Sequence, residues 1–256
     1  MGRVLFLLFL AIIIVFIMVP NMILIDNHND KIIMKNNLNL SARALMNSID
    51  MSVSNMDELS EGYGKSPVYD INIDKDRLIS EFYDVLSKNI LDEFWYEDIK
   101  ENIRAKILVY NDRFYICDSL DRWSPPYYFI CEYDNKPLYI NTKVETAYYY
   151  EDDNTKTYDD ISNFGLTAKE RDELIITKLN NEIAKHSSNE LGKSININIF
   201  NSNNNDGTYK AENSNFNVLD GLTFFIVYIN NDKISIFDNE IEANNYQVAG
   251  YTLEDY

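Results

Sequence analysis

The chain has 256 residues, with 23 Lys and Arg against 41 Asp and Glu, a formal net charge of −18. A field of that sign repels phosphate backbones and anionic headgroups, which excludes an electrostatically held nucleic-acid binder. Two cysteines and two histidines, well apart, do not make a zinc site, and eight glycines supply phosphate-cradling loops poorly.

The first element is an uncharged run from Val4 to Ile25, VLFLLFLAIIIVFIMVPNMILI. As a continuous helix it would span about 33 Å at ~1.5 Å per residue, against a hydrocarbon core of roughly 30 Å. A cleaved secretory signal would show a shorter apolar core and a small-x-small site. No Ala-x-Ala lies between Phe16 and Lys31, so the run reads as a retained single-pass anchor. Pro20 and Asn21 fall late in it and favour a kink there. Arg3 and the terminal amine flank one end, while Asp26, Asp30 and Lys31 flank the other. Positive-inside logic places the N-terminus in the cytoplasm and the domain outside. The Asn, Ile, Lys and Tyr bias fits an AT-rich bacterial genome, so the expected location is a bacterial cell membrane.

An acidic, Asn-rich break at Asp26–Asp30 precedes a second periodic stretch. Met34, Leu38, Ala42, Leu45, Ile49, Val53 and Met56 recur at intervals of three or four, one apolar stripe on an amphipathic helix. Gly62, Gly64 and Pro67 stop it. That stripe needs a cover, either the domain that follows or a neighbouring protein, and it is the candidate partner-packing surface. The expected organisation is an anchor over 1–25, an amphipathic stalk helix and linker over 26–66, and an extracytoplasmic domain over 67–256.

Within the domain, Val68–Ile73 alternates like a strand, and Asp74 can cap a helix with Leu78, Phe82, Val85 and Leu86 inward. Leu91–Ile103 shows no single period. Lys106–Tyr110 and Phe114–Asp118 read as a hairpin around Asn111-Asp112-Arg113. Tyr127–Tyr133 and Leu138–Tyr150 read as strands broken at Asp134-Asn135-Lys136-Pro137. Cys117 and Cys131 lie in similar strand settings, RFYICDS and YYFICEY. They are either a disulfide pair, permitted outside the cytoplasm, or two small buried side chains.

Glu151–Asp160, EDDNTKTYDD, reads as a solvated acidic loop, because its spacing does not match a helix-loop-helix calcium site. Thr167-Ala168-Lys169-Glu170 is a capping box, opening a helix with Ile175, Ile176, Leu179 and Ile183 inward and ending near Ser187. Ser194–Phe200 reads as a strand, Asn201–Asn217 as an exposed loop, and Leu222–Ile229 as a central strand. Asn230-Asn231-Asp232 is expected to turn into a further strand, Lys233–Phe237, with a last one at Tyr246–Thr252. The fold class is α+β: the anchor helix, the stalk helix, then a mostly antiparallel sheet domain with two or three packed helices.

No Gly-x-Ser-x-Gly, phosphate loop, dinucleotide fingerprint or His-Glu-x-x-His pattern is present. The reading therefore assigns no catalytic, metal or cofactor-binding residue, expects no cofactor, and does not make the chain an enzyme.

The first third of the chain resembles a known layout. An apolar helix continues into an amphipathic one carrying Ser41-Ala42-Arg43-Ala44-Leu45, and an extended segment leads to Ile73-Asp74 and a helix ending in Leu86-Ser87-Lys88-Asn89. Over residues 1–92 this is similar to TadE-like pseudopilins and related anchored proteins of Gram-positive type IV filament or conjugation machinery. Counted after Gly2, the fifth position is Leu7, where pilin-type chains usually carry Glu. The resemblance implies a membrane-anchored subunit of a surface assembly with protein partners, and it transfers no site residue. The alternative is a membrane-tethered binding domain for a wall polymer, peptide or cation, with the Tyr-rich strands Tyr127–Tyr150 as its contact surface.

Overall fold

The computed structural model describes residues 29–49, 73–90, 92–151, 156–191, 200–202, 209–211, 216–236 and 239–253. Among these the architecture is α+β, with two antiparallel sheets, a short two-stranded hairpin and four α-helices. No helix of the described residues is long and apolar enough to cross a membrane. The run Val4–Ile25, the strand Val68–Ile73 up to its last residue, and residues 152–155 of the acidic stretch lie outside the described part.

Helix α1 spans 29–48, and α2 (Lys75–Asn89) and α3 (Glu93–Asn102) follow it. The Asp74 carboxylate accepts from the Arg77 N–H at 3.1 Å, and the Asp92 carboxylate from the Trp95 N–H at 3.0 Å. Each cap satisfies one of the amide donors that a helix start leaves without a partner. The 91–103 stretch, which shows no single period, is thus mostly the capped helix α3.

Strands β1 (Ile103–Val109) and β2 (Arg113–Cys117) form the expected hairpin. Next come β3 (Tyr127–Tyr128), β4 (Ile130–Tyr133), β5 (Lys136–Ile140), β6 (Thr146–Tyr150) and β7 (Lys156–Asp160). Helix α4 (Ala168–Leu191) runs past the expected end near Ser187, and its Thr167–Glu170 capping box is formed in both directions. Strands β8 (Phe200–Ser202) and β9 (Tyr209–Ala211) pair within the segment read as a loop. Strands β10 (Leu222–Ile236) and β11 (Asn239–Leu253) close the chain as one long hairpin.

Two sequence expectations give way here. Asn230-Asn231-Asp232 does not turn the chain; β10 runs through it, because each of these residues pairs with β11. Residues 156–160 of the supposed acidic loop form β7, paired to β6 along its whole length.

The five-stranded sheet has the order β11-β10-β1-β2-β3, and the second has β4-β5-β6-β7. The chain crosses between them at Phe129, fully buried, whose N–H donates to Asp112 O and whose carbonyl accepts from Ile140 N. The first sheet is buried on both faces. One face, with Ala105, Ile107, Val109, Phe225 and Val227, packs on Leu138, Ile140 and Ala147 of the second sheet and on Ile175, Leu179 and Ile183 of α4. The other, with Leu108, Phe224, Ile226 and Tyr228, packs on α1, α2 and α3. Between Ile103 and Ala105 the register slips by one residue. This bulge turns Ile103 to the helical side although Ala105 faces the opposite core.

The stripe of α1 finds its cover inside the chain. Met34, Leu38, Ala42 and Leu45 join Leu78, Phe82, Leu86 and Phe224 in one core, and Ile49 packs at its rim. On this face the chain's own domain, rather than a partner, covers the four buried residues. Val53 and Met56 lie outside the described residues.

Cys117 and Cys131 are free thiols. Cys117 belongs to the helical core and Cys131 packs against the other core, on opposite sides of the first sheet. A disulfide holds Cα atoms only about 4.4–6.8 Å apart, so this placement replaces the bonded alternative with two packed side chains.

Gly250 sits opposite Phe225 on β11, and a Cβ there would lie 2.4 Å from Phe225 Cβ and 2.8 Å from Phe224 O. Its N–H donates to Asn39 Oδ1 at 2.9 Å, docking α1 on the edge strand. Gly250→Ala should therefore destabilise the fold by about 1–3 kcal/mol, the usual cost of overpacking. A urea midpoint equal to that of the unaltered chain would contradict this packing.

Candidate functional site

The second sheet has one face in the core and one turned outward, so its strands alternate. Leu138, Ile140 and Ala147 point in, which sends Tyr139, Tyr148 and Tyr150 out. Register places Tyr139 opposite Tyr148 and Tyr148 opposite Tyr158. The result is a ladder of three tyrosines across three strands. The Tyr139 and Tyr148 rings stack at 4.9 Å with 7° between their planes, and Tyr148 and Tyr158 lie 5.0 Å apart. These distances match the spacing of neighbouring strands, roughly 4.7–4.9 Å.

Two more rings extend the ladder. Tyr150 stands edge-on to Tyr139 at 5.5 Å and to Tyr148 at 5.8 Å. Tyr128, on the first sheet, meets Tyr139 edge-on at 5.4 Å. Contacts of these kinds add about 0.5–1.5 kcal/mol each beyond area burial. Tyr148 is buried in the middle, whereas Tyr128, Tyr139 and Tyr158 are half-buried. Tyr150 is 36% exposed and Ile130, on the same face, 40%. The outward side thus carries one aromatic cluster, buried at Tyr148 and most exposed at Tyr150 and the neighbouring Ile130.

The β1–β2 turn brings polar groups to one end of it. Thr142 N–H donates to Asn111 O at 2.6 Å, and the Phe129 N–H donates to Asp112 O at 2.9 Å, which seats this turn against the second sheet. Asp112 is buried there and accepts from the Tyr148 hydroxyl at 2.6 Å. Arg113 lies 3.3 Å from the same carboxylate and places its guanidinium 5.9 Å from the centre of the Tyr128 ring. Lys156 places its ammonium 5.0 Å from the centre of Tyr148. Asn141 donates to the Thr146 hydroxyl at 2.8 Å, and its buried Oδ1 has no hydrogen-bond partner among the described residues.

Burial pushes the Tyr128 and Tyr139 hydroxyls up from the usual tyrosine value. Tyr148 moves further up, through burial, the Asp112 charge and the hydrogen bond to it. At neutral pH these hydroxyls keep their protons and act as donors, not as bases. The face combines partly exposed rings and phenol donors with a buried carboxylate that is already paired.

A second polar cluster lies on the helical side. Lys106 is fully buried on β1, and its ammonium donates to Asp121 Oδ1 at 2.5 Å and to the Tyr83 hydroxyl at 3.2 Å. Asp121 adopts a left-handed backbone, φ 59°, to reach it. Burial works to lower the Lys106 value, but Tyr83 and the Asp121 hydrogen bond outweigh it and the net direction is up. Burial also raises Tyr83, and it pushes the Cys117 thiol up to about 12. Among the described residues no group of three or more His, Cys, Asp or Glu side chains converges as a metal site would require.

Tyr128, Tyr139, Tyr148 and Tyr150 fall within the stretch Tyr127–Tyr150 named from sequence as a candidate contact surface, whereas Tyr158, Asp112 and Arg113 fall outside it. Tyr158 lay hidden in the supposed acidic loop and Asp112-Arg113 in a hairpin turn. The alternation Thr157-Tyr158-Asp159 beside the strand TAYYY was the signal available for the first. Only register could show the second. Comparison with protein-family models, with curated proteins and with solved structures finds no match to this chain. The arrangement itself has to carry the functional argument.

Tyr148→Phe leaves the buried Asp112 carboxylate without its hydroxyl donor and should cost about 1–3 kcal/mol of stability; an unchanged denaturation midpoint would mean that the contact contributes nothing. The pH response has a definite sign. Lys106, Tyr83, Tyr148 and Cys117 are all raised in the fold, so their contribution is present below their unfolded values and lost as pH climbs through the folded ones. Unfolded thiol, phenol and lysine titrate near about 8.5, 10 and 10.4. The thermal midpoint should therefore decline from about pH 9 upward, and a midpoint level to pH 11 would disprove the linkage.

Proposed function

We propose that this chain is a membrane-tethered extracytoplasmic binding module. Its anchor is the uncharged run Val4–Ile25, and its contact surface is the tyrosine face Tyr128, Tyr139, Tyr150 and Tyr158. One observation carries the reading: the five tyrosines on and beside the second sheet, Tyr148 included, form a single partly exposed cluster. Contiguous exposed apolar surface on a domain marks a place of contact. The ligand class is a wall polymer, peptide or cation presented outside a bacterial cell. A tether suits such work, since it holds the module within reach of the envelope.

A second reading, an anchored pilin-like or accessory subunit of a surface assembly, draws on a different surface. With its stripe turned inward, α1 still exposes Ile32, Ile33 and Leu40 at 45%, 47% and 53%. Ile33 and Leu40 are seven residues apart and share a helix face. In-cell cysteine crosslinking at Leu40 would capture a neighbour under this reading and not under the first.

The test of the first reading is retention of the full chain, in detergent, on immobilised neutral glycans, anionic wall polymers, and basic and acidic peptides. The expected outcome is retention on one class, reduced about tenfold or more by Tyr139→Leu with Tyr150→Leu, in line with aromatic anchors dominating binding energy. Retention indifferent to those substitutions would remove the tyrosine face as the contact surface.

A further inference from the structure

The tyrosine face already holds cations of its own chain, and that points to the ligand. Lys156 sits over Tyr148 and Arg113 over Tyr128, with a third pair, Arg113 over Tyr110, at 5.4 Å beside them. On the opposite side of the same sheet Lys136 lies 5.2 Å from the centre of Tyr149. Ring faces attract cations through the aromatic quadrupole, by about 0.5–1 kcal/mol at exposed sites and ~2 when water is excluded. The Tyr139 and Tyr148 rings cover each other's faces, whereas Tyr150 stands edge-on to both and is 36% exposed, which makes Tyr150 the accessible ring of the group.

Two further features favour a positive ligand over a neutral or negative one. The chain carries −18, a field that draws cations and repels anions. Exposed Glu132 lies on the outward face, opposite Pro137 and two residues from Ile130. A negative field and an exposed carboxylate beside an exposed ring are matched by a group that brings both N–H donors and positive charge. Guanidinium does so with five donors in a plane that also stacks on rings.

We propose that the tyrosine face binds a basic peptide segment of a partner protein, with an arginine side chain laid against Tyr139 and Tyr150. This rests on the binding-module reading above and names its ligand class. Tyr150 and Ile130 provide the exposed floor, and the hydroxyls of Tyr139 and Tyr158 supply polar contacts at its border.

The test uses the full chain in detergent micelles with ring-labelled tyrosine. The probes are a terminally blocked peptide containing several arginines and its isostere with citrulline in place of each arginine. The arginine peptide should bind about tenfold more tightly than the citrulline peptide, the size of one desolvated cation–ring contact. Its ring-signal shifts should concentrate at Tyr139, Tyr150 and Tyr158. Tyr150→Leu, a change at an exposed position, should weaken binding about fivefold, whereas Phe94→Ala, at an exposed aromatic on α3, should not change it. Equal affinity for the two peptides overturns the proposal, as do arginine binding indifferent to Tyr150→Leu and no arginine binding at all. If a neutral oligosaccharide instead binds with dependence on Tyr150, the cationic ligand is wrong while the tyrosine face stands. If no probe shifts these rings, both fall.

Discussion

Strands β1 and β10 bury side chains on both of their faces, Ile107, Val109, Phe225 and Val227 on one side and Leu108, Phe224, Ile226 and Tyr228 on the other. Apolar burial stabilises by about 25 cal/mol per Å², so neither face can be left in water. Most of the described architecture answers to that constraint. Helices α1 to α3 close one side, and the second sheet with α4 closes the other. The inward stripe of α1 belongs to this cover, which ties a helix placed before 50 to a sheet completed after 220.

The double cover also explains where the candidate site lies. A sheet used as a lid needs only one apolar face, and β5 and β6 supply it with Leu138, Ile140 and Ala147. The alternate positions are free to carry other chemistry. Tyrosine suits a partly wet sheet face, since its ring fits the pleated surface and its hydroxyl finds a partner or solvent. Aligned register turns individual tyrosines into a ladder, and the β1–β2 turn then sets Asp112 and Arg113 at its end.

Buried charge is met in both halves by a nearby partner. Lys106 is turned to the helical core by strand alternation, and an uncompensated ammonium there would be strongly unfavourable. Asp121 reaches it from a left-handed turn, a conformation that Asp tolerates better than most residues, and Tyr83 joins from α2. The same logic holds Asp112, which meets Tyr148 and Arg113. These contacts tie loops and helices to the sheets at defined positions, which apolar packing alone does not do.

Local patterns were legible in the chain itself. The Asp74 cap, the Thr167–Glu170 box, the inward face of α4, the β1–β2 hairpin and the strand starting at Leu222 depend on neighbours three or four residues away, or on simple alternation. The α+β class follows from them. What failed was long-range in cause: Asn230-Asn231-Asp232 looks like a turn until β11 pairs with it, and Lys156–Asp160 looks like a loop until β6 does. Cys117 and Cys131 sit in similar local settings, yet the crossing at Phe129 sends them to different cores. The sequence by itself determined which stretches could be apolar-faced helices and strands, including a stripe on α1 that had to be covered. Only the tertiary structure decided what covers it, and which tyrosines share a face with Asp112, because register and sheet crossing join residues that no local period connects.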